Sequence, residues 1–167
     1  MVVRPEEPGD HAAVRRVLEE AFGPGCEEAG LVEALRAAGA HVPGLCLVAV
    51  DGDEVVGHIF FSRALLESGD QVLALAPMAV VPGRQRQGVG TALIEEALRR
   101  AEETDFPLIV VVGHAAYYPR FGFEPAAALG LRAPFDVPPE AWMARRLEAH
   151  GAGIGGLALY PEAFGAR

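Results

Sequence analysis

The chain has 167 residues, a formal net charge of −9, and a composition that is 51% hydrophobic and 22% charged. That is apolar material for one sizeable core and little room for two, so residues 1–167 read as a single domain and global disorder is excluded. The acidic balance speaks against nucleic acid or an anionic membrane as a partner.

No apolar run approaches the ~20 residues that cross a bilayer. The start, MVVRPEEPGD, has no apolar stretch of signal-peptide length, so a cytoplasmic location is expected. Cys26 and Cys46 lack CxxC spacing, and the histidines form neither HxxxH nor HExxH, so no metal is expected. Cys46, in the run LCLVAV, should be buried. Every basic residue is arginine. A Walker-A loop, a protein kinase and a Schiff-base enzyme all need a lysine and are excluded.

A short extended start, residues 2–4, closes at Pro5. A helix with Asp10 as N-cap follows, with Val14, Val17, Leu18 and Ala21 at helical spacing, and stops at Gly23-Pro24-Gly25. A second helix spans about 27–38, with Leu31, Val32 and Leu35 as its stripe. Strands at 45–51 and 54–63 flank the hairpin turn Asp51-Gly52-Asp53. A long strand covers 71–80, with Pro77 marking a bulge, a bend or an unpaired N–H. The strongest helix spans 88–103, and the apolar run at 108–112 suits a buried parallel strand. Residues 115–120 form at most a helical turn or two, ending at Gly122. A helix is expected over 138–147, with Trp142, and a last strand over 156–160. Leu31, Val32, Trp142 and Phe164 read as core residues. Hairpin strands leading into a βαβ unit predict a mixed sheet flanked by helices.

The informative segment is VVPGRQRQGVGTALIEEAL, residues 80–98. A strand ends, a basic glycine-rich loop follows, and a helix begins. The first N–H groups of a helix have no intrahelical partner, and its dipole is positive there. Gly88 and Gly90 remove the Cβ atoms that would hold an oxygen off the backbone. Arg84 and Arg86 add positive charge. This is a phosphate or pyrophosphate site. A dinucleotide site of the GxGxxG kind is disfavoured, because Leu93 stands where the third glycine should be and the strand at 108–112 ends in Gly113-His114 without an acid. The literal Gly151-x-Gly153-x-x-Gly156 has no crossover helix after it and reads as a connector.

Gln85-x-x-Gly88-x-Gly90, after a strand and opening a helix, resembles the acyl-CoA loop of the GNAT acetyltransferases. The segment Tyr117-Tyr118-Pro119-Arg120-Phe121-Gly122-Phe123 resembles the family's second signature, an aromatic turn ending in Gly-Phe. GHAAYYPRFGF and the tail PPEAWMARRLEAHGAGIGGLALYPEAF are similar to the YhbS-like branch. The resemblance implies an α/β fold: a mixed, mostly antiparallel sheet of about six to seven strands and about four helices, with a central parallel pair. That pair is expected to splay at 78–80 and 111–113.

By the same resemblance, acetyl-CoA is the acyl donor. Its pantetheine arm pairs with the backbone of Met78, Ala79 and Val80. Its diphosphate sits on Gln85, Arg86, Gln87, Gly88, Val89 and Gly90, with Thr91 nearby. Tyr118 is the general acid for the leaving thiolate, and the Val80 N–H is the oxyanion donor. The acceptor is the primary amine of a small molecule, a peptide or a protein N-terminus. The C-terminal segment is a candidate homodimer surface. The base stays open among His114, Glu67, His58 and a water chain, because residues 71–80 contain no carboxylate. A non-catalytic acyl-CoA sensor is the competing reading: it needs the loop but not Tyr118.

Overall fold

The structure is a computed structural model that describes residues 1–165. In chain order the elements are β1 (Val2–Pro5), α1 (His11–Phe22), α2 (Glu27–Ala37), β2 (Leu47–Asp51), β3 (Glu54–Leu66), β4 (Gln71–Val80), α3 (Val89–Ala101), β5 (Leu108–Val112), β6 (Glu124–Pro125), β7 (Leu131–Arg132), β8 (Trp142–Arg146) and β9 (Gly156–Leu159). The fold is mixed α/β, mostly antiparallel, with β4 and β5 as the long parallel pair. The chain divides into two units, and β3 and β4 each run through both.

The first unit comprises Met1–Phe61 and Pro77–Arg100. β1 pairs antiparallel with β2, Val2 opposite Val50 and Pro5 opposite Leu47. β2 pairs antiparallel with β3 and turns where Asp51 faces Glu54. Gly52 takes φ 63° there, the positive φ that a two-residue hairpin demands at its first central position. Of the stripes read from the sequence, Val14, Val17 and Leu18 on α1 and Val32 and Leu35 on α2 are buried, while Ala21 and Leu31 are half-buried and Ala29 joins the buried face of α2.

Asp10 does precede α1, but its side chain does not cap that helix. Its carboxylate instead accepts the Glu7 N–H at 2.7 Å and pairs with Arg4 at 2.7 Å. The guanidinium outcompetes the helix N-terminus for the same oxygens.

A polar cluster lies within this unit. Glu6 meets His58 Nε2 at 2.9 Å, Arg36 at 2.6 Å and His11 at 3.4 Å. His58 is fully buried. Because Glu6 accepts, the proton sits on Nε2, and Nδ1 is left as a buried lone pair. Burial pushes the His58 pKa down and keeps the ring neutral. Burial alone would raise the Glu6 pKa, but its hydrogen bond from His58 and the charge of Arg36 outweigh that and hold it low.

The second unit comprises Ser62–Ala76 and the chain from Ala101 onward. Its sheet order is β3-β4-β5-β8-β6, with β9 pairing β3 and β7 pairing β9. β5 lies parallel to β4, Leu73 opposite Ile109 and Leu75 opposite Val111. Val111 is therefore still in the ladder, and the expected splay does not begin at that residue. Leu66, Val72, Leu108, Val110, Leu131 and Trp142 form this core. Trp142 donates from Nε1 to the Leu131 carbonyl at 3.1 Å, which satisfies its one polar atom.

The helix expected over 138–147 is not formed. Pro139–Ala141 is one 3-10 turn, and Trp142–Arg146 is β8, antiparallel to β5 with Val110 opposite Ala144. Ala, Met, Arg and Leu are good helix formers, but they pair here with a buried apolar strand, and tertiary context overrides propensity. The α-helices among the described residues are therefore three, and the strands nine, two of them only two residues long.

Candidate functional site

β4 leaves the sheet of the first unit at Val80, and the Val81 N–H donates to the Val56 carbonyl at 3.0 Å. Pro82 starts a 3-10 turn, Pro82–Arg84, and keeps Val81 extended. Residues 85–88 then turn into α3. The Gly88 carbonyl accepts from the Ala92 N–H at 3.0 Å, which makes Gly88 the entry to the helix.

Two residues of this turn are left-handed: Arg86 at φ 62° and Gly88 at φ 85°. For a non-glycine residue that costs on the order of 1–3 kcal/mol and persists only where its surroundings enforce it. Left-handed residues break the chain's right-handed course and let neighbouring N–H groups converge, as in anion-binding concavities. A Cβ built on Gly88 meets nothing within 4 Å. The space before the helix entry is open, which a phosphate on that backbone requires. Gln85, Arg86, Gln87 and Gly88 are exposed, Gly90 and Thr91 half-buried, and Val89 buried. On β4, Ala79 is buried, and Met78 and Val80 are half-buried.

Side chains of the loop hold its shape. Gln85 Nε2 donates to the Val80 carbonyl at 3.1 Å, and Gln87 Nε2 to the Gly83 carbonyl at 3.1 Å. Arg84 Nε donates to Gln87 Oε1 at 3.2 Å, and its Nη1 pairs with Asp51 at 2.7 Å. Beneath the loop, Gly57 of β3 faces α3. A Cβ there would stand 2.8 Å from Val89 Cγ1 and 3.0 Å from Leu93 Cδ1, so glycine lets the first turn of α3 lie against the strand.

Tyr118 lies in the second unit. β5 ends at Val112, and the N–H of the next residue, Gly113, donates to the Ala141 carbonyl at 3.0 Å. The His114 carbonyl accepts from the N–H groups of Tyr117 and Tyr118 at 3.0 and 3.3 Å. Tyr118–Phe121 is a 3-10 turn closed by Gly122 at φ 88°. Arg145 of β8 clamps this turn, donating from Nε to the Phe121 carbonyl at 2.9 Å.

The Tyr118 ring lies over Gly113: a Cβ there would run into Cε2 and stand 2.9 Å from Cδ2. Tyr117 and Phe123 pack edge-on against it, with centroids at 5.2 and 5.5 Å. Tyr118 is 8% exposed, and burial, with Tyr117 adding, pushes the phenol up to about 12. It is a protonated donor at neutral pH.

The candidate bases separate by exposure. His114 is exposed. Glu67 is bound to Arg132 at 2.6 Å. His58 is sealed in the first unit against Glu6 and cannot meet a substrate. Sequence reasoning missed Gly57, Gly113 and the Asp51–Arg84 pair. The one available signal was an isolated glycine inside a strand pattern, which Gly57 carried.

Residues 43–125 match the model of an acetyltransferase (GNAT) domain. The chain is 40% identical to the N-acetyltransferase YjhQ of Escherichia coli over 84% of this chain and 81% of that protein. It is 34% identical to the N-acetyltransferase YhbS of Escherichia coli over 98% of each. The crystal structure of Escherichia coli YhbS in complex with CoA superposes with a TM-score of 0.90 at 34% identity, over 98% of this chain and 91% of that one. A Brucella melitensis GNAT-family acetyltransferase in complex with acetyl-CoA does so with a TM-score of 0.80 at 32% identity, over 98% and 97%. Relatives at 34–40% identity over 81–98% of their length lead to one assignment: the chain belongs to the GNAT acetyltransferase family.

Proposed function

We propose that this chain is an N-acetyltransferase that moves the acetyl group of acetyl-CoA directly onto the primary amine of a small molecule or a protein N-terminus. The observation that carries the reading is the turn at 85–88, with Arg86 and Gly88 left-handed before the entry to α3. Backbone N–H groups from Gln85, Arg86, Gln87, Gly88, Val89 and Gly90 hold the diphosphate, with the Thr91 hydroxyl beside them. The backbone of Met78, Ala79 and Val80 pairs with the pantetheine arm, and the Val80 N–H donates to the oxyanion. The amine attacks the thioester carbonyl and gives up a proton to water, the C–S bond breaks, Tyr118 gives its proton to the departing thiolate, and water returns a proton to the phenolate. A positioned acid of this kind contributes ~10²–10⁴-fold in rate.

The deciding experiment is thermal unfolding and calorimetry with acetyl-CoA, using ATP and NAD as controls. At ~100 times Kd the ligand adds about 2.7 kcal/mol, which is a rise of roughly 5–10 °C for a chain of this size. A rise with acetyl-CoA alone is the expected result. An equal rise with ATP or NAD would reassign the loop to another nucleotide. Tyr118→Phe should keep binding and lose ~10²-fold or more of kcat. Unchanged turnover removes Tyr118 from the mechanism. Binding by the wild type without acetylation of any amine in a broad screen would favour a sensor over an enzyme.

A further inference from the structure

We infer that Asp51, in the β2–β3 turn, and Arg84 act as a positioning pair that sets the shape of the diphosphate loop, with Arg84 serving as a strut and not as a phosphate ligand. This rests on the reading that residues 85–91 receive the diphosphate. One guanidinium joins three pieces of chain. Its Nη1 meets Asp51 at 2.7 Å, and its Nε meets Gln87 Oε1 at 3.2 Å. Gln87 in turn donates to the Gly83 carbonyl at 3.1 Å. The hairpin turn, the 3-10 turn and the residue before Gly88 are thereby cross-tied around Arg86, the strained left-handed residue.

Electrostatics alone makes the opposite prediction. A carboxylate beside an anion site repels the anion, and a freed Arg84 would be one more cation for it. Removing Asp51 should then tighten binding. If the pair is a strut, removing Asp51 loosens the loop and weakens binding despite the more favourable charge. The side chains of Arg84 and Asp51 are 32% and 45% exposed. Such a pair contributes little to global stability, so its effect should appear in binding and hardly at all in Tm.

The test is calorimetric titration of acetyl-CoA into the full chain as wild type, Asp51→Asn, Asp51→Glu, Arg84→Gln and the double variant Asp51→Asn/Arg84→Gln. Amide hydrogen exchange of residues 83–90 is measured on the same ligand-free proteins. The expected result is a loss of about 5- to 10-fold in affinity for each single neutral variant, with the double variant no weaker than either, as for two residues acting through one contact. Asp51→Glu recovers most of the affinity. Exchange at 83–90 rises in Asp51→Asn, Tm stays nearly constant, and KM for acetyl-CoA rises while kcat at saturation holds.

Equal or tighter binding by Asp51→Asn, unchanged exchange, or losses that multiply in the double variant would each overturn the inference and leave the functional reading standing. Absence of binding by the wild type overturns the functional reading and this inference with it.

Discussion

Gly88 and Gly83 lie in the same loop, and the structure separates them. Neither would crowd a methyl group, since a Cβ at either meets nothing within 4 Å. Only Gly88 has positive φ. Gly88→Ala should therefore cost roughly 1–2 kcal/mol of stability and Gly83→Ala close to none, read by denaturant unfolding. Equal costs at the two positions would show that the left-handed turn is not formed. Gly113→Ala tests the packing of Tyr118. Its methyl would occupy the place of the Tyr118 ring, so the phenol should shift. Turnover should then fall about as far as in Tyr118→Phe, with acetyl-CoA affinity kept, in steady-state kinetics and calorimetry. Normal turnover would mean the ring can move without consequence. Gly88 was legible because its demand is local, a helix entry after a basic turn. Gly113 was not, because its reason is a ring five residues on. Arg84 read as a cation for the phosphate until the fold brought Asp51 beside it.

At the scale of elements, β3 and α3 depend on one missing Cβ. Gly57→Ala forces Val89 and Leu93 away from the strand, and overpacking of this kind costs typically 1–3 kcal/mol. Because Val89 opens α3 directly after the loop, the same variant should also weaken acetyl-CoA binding, seen by calorimetry below its Tm. A stability loss with unchanged affinity would separate helix packing from loop shape. The sequence also shows which elements periodicity can reach. α1, α2 and α3 carry their own buried stripes, and the β2–β3 hairpin carries its own turn. β8 could not be read this way. Its segment, Trp142–Arg146, is rich in helix formers and becomes a strand only because β5 supplies a partner thirty or more residues earlier in the chain. The two-residue strands β6 and β7 have no length over which a period could show.

For the molecule as a whole, the buried cluster around Glu6 sets a pH dependence of folding. His58 is neutral when folded, with its pKa below the ordinary 6.5. As pH falls through 6.5 the unfolded chain binds a proton that the folded chain refuses, so stability is lost from there downward to the folded pKa. Glu6 is held below its ordinary 4.5, so its contribution is present above 4.5 and is lost as pH falls further. Tm should decline between pH 7 and 5, and His58→Gln should flatten that decline. A slope that persists in the variant would place the titrating group elsewhere.

The clamp on the Tyr118 turn has a consequence for synthesis. The first unit has all its residues once the chain has been made to Arg100. The turn bearing Tyr118 leaves the ribosome soon after, but the arginine that holds it, Arg145, comes only in β8, after β6 and β7. A nascent chain that ends before β8 therefore carries the Tyr118 turn without the guanidinium that holds it.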